Sequence, residues 1–158
     1  NKGIRQAKGD VLCFMNAGDL FASERVFEFV NETFERIDDT PDIVYGDVIV
    51  CSDGECSKVS SFRESNIEFV WYGPICHQSI FARRELFSKG FSLKYRVCAD
   101  YNWLLHAIIR EKRKVGYVPE PLSIYQLGGF SAKNIHLYEK ESSYIILNTV
   151  ASLEPDRY

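Results

Sequence analysis

The feature that most constrains the fold is an apolar run that stops abruptly at a short polar segment. Residues Val11–Met15 are all apolar, whereas Asn16–Asp19 is small, polar and acidic. A continuous apolar run is typical of a central strand covered on both faces of a sheet. In open α/β sheets, ligands bind beyond the carboxyl ends of the strands. The sequence therefore predicts a buried strand whose end could carry a ligand site.

Strand and helix patterns alternate along the rest of the chain. Apolar residues at helical spacing predict helices over 24–37, 99–114 and 135–150, the first with Ser23 as its N-cap. Shorter apolar runs predict strands over 43–50, 55–60, 78–82, 115–118 and 122–126, one helical turn over 84–88, and a flexible loop over 127–134. We expect a single α/β domain over residues 1–158, with a mixed sheet because one strand pair is a hairpin.

The hairpin places two cysteines opposite each other. Asp53–Gly54 is a two-residue turn signal, and it pairs Cys51 with Cys56 across the two strands. The chain has five cysteines, an odd number scattered through apolar positions, which favours reduced thiols in a cytoplasmic protein. We therefore interpret Cys51 and Cys56 as two free thiols on one face. No second pair at ligand spacing accompanies them, which argues against zinc.

The overall charge argues against one class of partner. The formal net charge is −3, and no clustered basic face is evident, so a nucleic-acid partner is not expected. No apolar run approaches the length of a membrane span.

The polar segment after the first strand has the chemistry of a phosphate and metal site. Gly18 allows a tight turn or a close approach of the backbone to a ligand. Asp19 offers the anionic oxygen that a hard cation such as Mg²⁺ prefers. The alternative is a simple strand-to-loop turn, in which Asn, Gly and Asp are all common, and these four residues alone favour that alternative.

The wider sequence resembles a known family. The stretch "NKGIRQAKGDVLCFMNAGDLF" is similar to the core motif of family 2 glycosyltransferases, which are inverting enzymes of the GT-A type. Similar motifs follow in the family's order over nearly the whole chain: "YGD" at residues 45–47, "HQSIFARRELF" from His77, "ADYNWLL" from Ala99 and "GGFS" at 128–131. The resemblance implies a GT-A-like mixed sheet flanked by helices.

The chain departs from the family pattern in two ways. The family's acidic cluster usually holds several aspartates, whereas only Asp19 is acidic here and Asn16 stands where the first aspartate often lies. The family's N-terminal strands, which contact the nucleotide base, have no counterpart in this sequence. The chain therefore resembles the C-terminal two-thirds of a catalytic domain.

The resemblance implies transfer of a sugar, with inversion, from a nucleotide diphosphate sugar to the hydroxyl of a saccharide or lipid-linked saccharide, in cell-surface polysaccharide synthesis. It implies a cytoplasmic protein, peripheral at the inner face of the membrane. Asp100 would be the catalytic base, and Mg²⁺ or Mn²⁺ would bind Asp19 and Asn16. The implied donor-binding residues are Asn16, Gly18, Asp19, Gly128, Gly129 and Ser131. The implied acceptor-binding residues are Trp71, Tyr72, His77 and Gln78.

Several alternatives stay open. Asp100 precedes a predicted helix and is equally suited to be its N-cap. Trp71 could pack in the core, and His77 could be a buried, hydrogen-bonded histidine. The chain could instead be a non-catalytic acceptor-binding or assembly module, or, with less support from its single carboxylate, another metal-dependent phosphotransfer enzyme. We also expect the edge of the first strand to lack its partner, which favours a homo-oligomer formed through that edge.

Overall fold

The computed structural model describes residues 1–36, 38–71 and 75–153. Within them the helices are α1 (Lys2–Gln6), α2 (Val26–Phe34), α3 (Glu68–Trp71), α4 (Ala99–Leu105), α5 (Phe130–Lys133) and α6 (Ile135–Ala151). The strands are β1 (Val11–Cys13), β2 (Leu20–Phe21), β3 (Ile43–Ser52), β4 (Glu55–Val59), β5 (Ile80–Arg83) and β6 (Val115–Gln126). Short 3₁₀ turns cover His77–Ser79 and Arg84–Phe87, and α4 continues as a π-helical turn over His106–Arg110.

The strands form one mixed sheet in the order β1-β5-β3-β6-β2. Strand β3 is central: β6 runs parallel along one of its edges, and β5 and β4 pair antiparallel with successive halves of the other. Strands β1 and β2 lie at the two ends and pair antiparallel with β5 and β6. The predicted α/β class and mixed sheet are confirmed.

The side chains of successive residues of β3 pack into two separate hydrophobic cores. Ile43 and Tyr45 pack into a large cluster with residues of α4 and α6, whereas Val44 packs with Val26 and Val30 of α2. Side chains alternate between the two faces of a strand, so a run of apolar residues serves both layers. Helices therefore cover both faces of the sheet, which is why β3 is apolar almost throughout.

A bulge interrupts the pairing of β3 with β6 at the "YGD" motif. Gly46 pairs with Val118 but Asp47 pairs with Pro121, so β6 accommodates two extra residues there. Prolines lack the backbone donor that a regular ladder requires, and bulges are where strands tolerate them. A Cβ at Gly46 would lie only 2.6 Å from Leu122 Cγ, so glycine is required for this packing.

The first strand is less central than its apolar sequence predicted. Strand β1 spans only Val11–Cys13, only Leu12 of it is buried, and it lies at the end of the sheet. The expectation of a central strand is therefore wrong, because β1 has a neighbour, β5, on one side only within the described part of the chain. This free edge agrees with the expected unpaired strand. Both faces of β1 are packed as expected, since Leu12 belongs to the large cluster and Val11 and Cys13 pack against the small one.

The two hairpin cysteines are bonded to each other. The register places Cys51 opposite Cys56 as predicted, but the two sulfurs form a disulfide. The interpretation as two free thiols is thus wrong for this pair. Directly opposed residues of an antiparallel pair lie close enough for their side chains to join. Cys13, Cys76 and Cys98 are the free cysteines.

Several element boundaries differ from prediction. Helix α2 begins at Val26, with Arg25 rather than Ser23 at its N-cap, and Ile37, its predicted last residue, lies outside the described residues. Strand β6 is continuous although two strands were predicted on either side of its proline pair. The predicted flexible loop contains the helical turn α5. Within the described residues, no helix is long and apolar enough to cross a membrane.

Candidate functional site

The sheet brings together two segments that are far apart in the sequence. Strand β1 pairs antiparallel with β5, with Cys13 opposite Phe81, so the end of β1 meets the beginning of β5. The segment after β1 holds Asn16 and Asp19, and the 3₁₀ turn before β5 holds His77 and Gln78. Four of the predicted site residues therefore lie beside one another at one edge of the sheet.

The turn after β1 is closed by its own backbone. The Asp19 N–H donates to the Asn16 carbonyl over 3.2 Å, and Gly18 has a φ of 98°. This left-handed conformation favours glycine because a Cβ is poorly tolerated there. A Cβ at Gly18 would meet nothing within 4 Å, so its backbone faces open space. The turn thus has an exposed backbone surface, as the sequence predicted.

Both oxygens of Asp19 accept hydrogen bonds from neighbouring elements. Gln78 Nε2 donates to Asp19 Oδ2 at 2.5 Å, and the Gln126 N–H at the end of β6 donates to Oδ1 at 3.3 Å. Gln78 is buried, and its Oε1 accepts from Cys76 Sγ at 2.8 Å. The hydrogen bond from Gln78 therefore fixes the orientation of the Asp19 carboxylate.

A second hydrogen-bonded chain runs from the turn to α4. Asn16 Nδ2 lies 3.1 Å from His77 Nε2, and His77 Nδ1 lies 2.9 Å from Asp100 Oδ2. With the asparagine amide donating, the neutral imidazole carries its proton on Nδ1 and donates it to the carboxylate. Each member orients the next, so His77 holds the Asp100 carboxylate in place. The alternative of His77 as a buried, hydrogen-bonded histidine is right about the hydrogen bonds, but the side chain is 30% exposed rather than buried.

Asp100 is not the N-cap of α4. Cys98 occupies that position, and Asp100 lies within the first turn, where its Oδ1 accepts from the Tyr101 N–H at 2.8 Å. Its side chain is 35% exposed, so the carboxylate remains accessible to a substrate.

A different carboxylate, that of Glu141 on α6, satisfies the backbone donors before α4. It accepts hydrogen bonds from the N–H groups of Arg96, Val97 and Cys98, each at 2.9 Å. Burial acts to raise the pKa of Glu141, but these three N–H groups and the nearby Arg96 charge outweigh it and lower the pKa. Glu141 thus satisfies the N–H groups just before α4, whereas Asp100 bonds to the Tyr101 N–H and to His77.

The two thiols beside the site are protonated. Burial is the main cause that raises the pKa of Cys13 to about 12 and that of Cys76 to about 11, and the Asp19 and Asp100 carboxylates raise the latter further. Because the thiolate is the reactive form of cysteine, neither residue is suited to nucleophilic catalysis. The accessible carboxylate of Asp100 is the better candidate for proton transfer.

Two cavities meet at His77 and Asp100, which line both. The larger has a volume of about 450 Å³, and its wall includes Asn16, Arg63, Gly129 and Ser131. The smaller has a volume of about 220 Å³ and a mainly aromatic wall. The His77–Asp100 pair therefore lies between a smaller cavity with an apolar wall and a larger one whose wall is partly polar, here named the polar cavity.

Other predicted site residues lie apart from this junction. Trp71 is 63% exposed and lines neither cavity, and Tyr72 lies outside the described residues. Gly128 adopts a φ of 92° at the entrance to the Gly129–Ser131 segment but does not line the polar cavity.

Asp47 of the "YGD" motif has a structural role. Its buried carboxylate accepts from Tyr117 Oη at 2.6 Å and from the Ser61 N–H at 2.9 Å, and it pairs with Lys58 Nζ at 2.9 Å. Burial acts to raise the Asp47 pKa, but these partners prevail and lower it. Asp47 thereby anchors β4 and the segment after it to the centre of the sheet.

The described residues do not form a ready-made metal site. Within them, no three His, Cys, Asp or Glu side chains cluster as a metal centre would require. Mg²⁺, however, is often held by one or two carboxylates with substrate phosphates and water, rather than by a cage of protein ligands. The single carboxylate of Asp19 fits binding shared with substrate phosphates and water, but it does not fit a cage of protein ligands.

Comparison with known proteins identifies relatives of one class of enzyme. No family model matches the chain. The chain is 31% identical over 142 residues to the "PGL/p-HBAD biosynthesis glycosyltransferase" of Mycobacterium bovis, and equally to that of Mycobacterium tuberculosis. The chain is a relative of glycosyltransferases. The match covers 83% of the chain, and the chain spans about half, 51%, of the length of these curated relatives.

The sequence did not reveal three residues on which this site depends. Glu141, Gln126 and Arg63 support or line it from α6, β6 and the segment after β4. Glu141 carried one recognisable signal: at helical spacing it is a charged residue on the apolar face of a predicted helix. No local pattern marked Gln126, which acts through its backbone N–H, or Arg63, which precedes a predicted connection.

Proposed function

We propose that the protein transfers a sugar, with inversion, from a nucleotide diphosphate sugar to an acceptor hydroxyl. The observation that carries the proposal is the His77–Asp100 pair at the junction of two cavities, in a chain related to named glycosyltransferases. One space can hold a donor and the other an acceptor, with a base between them. This arrangement brings two substrates and a proton acceptor to one point.

Asp100 is the proposed base. As the acceptor oxygen attacks the anomeric carbon, its proton passes to the Asp100 carboxylate, and the bond from that carbon to the diphosphate oxygen breaks. A single displacement inverts the configuration at that carbon. His77 donates to Asp100 Oδ2, and Asn16 contacts the other ring nitrogen, so the base is oriented before the substrates bind. A carboxylate has enough lone pairs to accept the substrate proton as well.

The polar cavity is the proposed donor site. Arg63 and Ser131 line it together with the Gly129 backbone, and Asn16 closes it toward His77. A guanidinium and small polar groups suit a diphosphate, which carries negative charge and many acceptor oxygens. We place the diphosphate between this wall and the turn at Gly18, whose backbone faces open space.

Asp19, with Asn16, is the proposed holder of a divalent cation, Mg²⁺ or Mn²⁺. Such a cation would neutralise charge on the departing diphosphate. Its remaining ligands would come from the donor and from water, because Asp19 is a single carboxylate. Gln78 and the Gln126 N–H keep this carboxylate turned to one position.

We further propose that the product is a cell-surface saccharide or glycolipid made at the cytoplasmic side of the membrane. The relatives' name places them in PGL/p-HBAD biosynthesis, and the acceptor class proposed from this name is a saccharide or lipid-linked saccharide. The competing function is a non-catalytic module that binds such an acceptor without transferring sugar.

Calorimetric titration and a turnover assay distinguish the sugar transferase from the non-catalytic acceptor-binding module. The protein would be titrated with UDP, GDP and dTDP, each with and without Mn²⁺, and then supplied with the matching nucleotide sugars and a saccharide acceptor. We expect Mn²⁺-dependent binding of one diphosphate, turnover with its sugar, and an inverted anomeric configuration by NMR. Acceptor binding without diphosphate binding or turnover would establish the module instead.

A further inference from the structure

We propose that the "YGD" motif at residues 45–47 positions Arg63 to bind the donor diphosphate. Arg63 belongs to segment 60–63, which follows β4, and three residues of this segment line the polar cavity. The motif holds the segment on the sheet with the help of Tyr117 of β6. The motif and Tyr117 thus act on the diphosphate through Arg63 and not by touching it. This inference rests on the proposed function, and it identifies what holds the donor wall in place.

The carboxylate of Asp47 joins three different parts of the chain. Its Oδ1 accepts from the Tyr117 hydroxyl of β6 and from the Ser61 N–H of segment 60–63, and its Oδ2 pairs with Lys58 Nζ of β4. Asp47 is only 2% exposed, and a buried carboxylate that loses its partners is costly. The arrangement in which all three partners are in place is therefore favoured, and it ties the segment to one position.

Two tyrosines extend this hold along the rest of the segment. Tyr117 Oη lies 3.3 Å from Ser60 Oγ, and the Tyr117 ring packs against the Phe62 ring with centroids 5.4 Å apart. Burial raises the pKa of Tyr45 to about 12, while the charge and a backbone hydrogen bond of Arg63 act to lower it, so Tyr45 contacts Arg63. Every residue of the segment is thus held by the motif or by Tyr117.

The position of segment 60–63 determines where the Arg63 guanidinium lies. Arg63 Nη1 donates to the Phe62 carbonyl at 2.9 Å, so the guanidinium is oriented by the backbone of its own segment. A guanidinium carries five N–H donors in a planar fork and can bind phosphate oxygens through two of them at once. Bonding of this kind depends on the position and plane of the fork. An anchor on the segment backbone therefore sets diphosphate affinity without contacting the ligand.

The competing explanation is that the motif only stabilises the β3–β4 hairpin. A double-mutant cycle separates the two explanations, because residues that act through each other have non-additive effects. The variants are Tyr117→Phe, Arg63→Gln and their combination. The probe is inorganic pyrophosphate with Mg²⁺, titrated into each protein by calorimetry, because it reports diphosphate contacts without those of a base or a sugar. A purely structural role would lower stability but would leave the affinity independent of Arg63.

Arg63→Gln should weaken pyrophosphate binding at least about tenfold, as expected for loss of a hydrogen bond from a charged group. Tyr117→Phe should weaken it about three- to tenfold when Arg63 is present and should have no effect in Arg63→Gln. Tyr144→Phe is the matched control, since it also removes a hydrogen-bonded hydroxyl but lies on α6 outside the polar cavity. Wild-type affinity in either single variant overturns the proposal, as does an equal loss from Tyr117→Phe in both backgrounds.

NMR of the unaltered protein decides if Tyr117→Phe does not fold. Pyrophosphate should shift the Arg63 Nε signal together with the ring signals of Tyr45 and Tyr117, while the Tyr144 signals stay in place. An Arg63 signal that does not move, or that moves without the two tyrosines, overturns the proposal.

The positioning role and the proposed function can fail separately. If pyrophosphate binding depends on Arg63 and Tyr117 but no sugar is transferred, the positioning role stands and the catalytic proposal fails. If sugar is transferred but the KM for the donor is the same in wild type and both variants, the catalytic proposal stands and the positioning role fails. Absence of pyrophosphate binding to the unaltered protein also overturns the positioning role.

Discussion

Glu141 holds the backbone at Cys98, two residues before Asp100. Glu141 Oε2 accepts from the Cys98 N–H at 2.9 Å, and the same oxygen accepts from Val97 at the same distance. The last helix thereby determines where α4 begins, and so where the proposed base lies. This buried carboxylate acts on the site without touching a substrate, through the position of the helix.

Glu141→Gln should destabilise the protein by about 1–3 kcal/mol, because hydrogen bonds to a charged acceptor are stronger than those to an amide. Urea unfolding at pH 7 measures the loss. Glu139→Gln on the same helix is the control, since the Glu139 side chain is 64% exposed and should change stability little. Equal stability of both variants would show that the Glu141 contacts contribute no net stability.

The stability difference between wild type and Glu141→Gln should depend on pH in a defined direction. The pKa of Glu141 is lowered in the folded state, so its contribution is fully present above the unfolded pKa, roughly 4.3. It is lost as the pH falls through the lower, folded pKa. The stability difference between wild type and Glu141→Gln should therefore be constant near neutral pH and shrink below about pH 4. A difference that grows on acidification would reverse the assigned direction.

Asp100→Asn should lower turnover by a factor on the order of 10²–10⁴, the usual contribution of a positioned general base. Donor affinity and the unfolding midpoint should stay nearly unchanged, because the amide keeps the size of the side chain and Glu141 satisfies the helix start. Asp38→Asn, at an exposed position, is the control. Transfer at the wild-type rate would place the base elsewhere.

Asp19→Ala should fail in a different way. It removes the proposed cation-binding carboxylate, so we expect Mn²⁺-dependent diphosphate affinity to fall as well as turnover. Gln78→Leu leaves the Asp19 carboxylate in place but removes the donor that orients it, together with the acceptor of the Cys76 thiol, and should weaken the same affinity less. Calorimetric titration with and without Mn²⁺ makes the comparison. A metal-dependent affinity that survives in Asp19→Ala would rule out this cation site.

The Cys51–Cys56 disulfide should add about 2 kcal/mol to stability, the magnitude expected for closing a short loop. Cys56→Ser should lose that amount under non-reducing conditions, and excess reductant should abolish the difference from wild type. Alkylation of the unfolded, non-reduced protein should label Cys13, Cys76 and Cys98 only. Labelling of all five cysteines would refute the bond.

Gly128–Asn134 should become ordered when donor binds. The segment has two consecutive glycines, and Ser131 lies on the wall of the proposed donor cavity. Hydrogen exchange with and without nucleotide sugar and Mn²⁺ should show increased protection of these residues, with α2, which does not line the cavity, as the internal reference. Equal protection in both states would mean that the segment does not close on the donor.

Local sequence patterns predicted the presence of the helices and strands better than their boundaries. The run at 11–15 marked β1, but the strand stops at Cys13 because Phe14 leaves the ladder to pack against Phe87 and Phe91. The predicted helix at 99–114 changes to a π-helical turn at His106, which the spacing of its apolar residues does not distinguish.

Four residues of the candidate site were predictable from the sequence, but the contacts between them and the residues that support them were not. The motif resemblance named Asn16, Asp19, His77 and Asp100, which the structure brings together. The turn preference of Asp53–Gly54 set the cysteine register, but opposition alone did not distinguish two thiols from a disulfide. Contacts such as Glu141 with Cys98 join distant parts of the chain, and no local pattern encodes them.

The parallel pairing of β3 with β6 determines the order in which the chain can fold. Strand β3 reaches Ser52, whereas β6 begins only at Val115. During synthesis, β3 can pair with β4 and then β5 long before its parallel neighbour has emerged. Non-local pairings carry the larger loop-closure cost and form slowly. The edge of β3 that pairs with β6 therefore remains a row of unpaired N–H and C=O groups for much of translation. This interval is when the nascent chain is most exposed to misassociation.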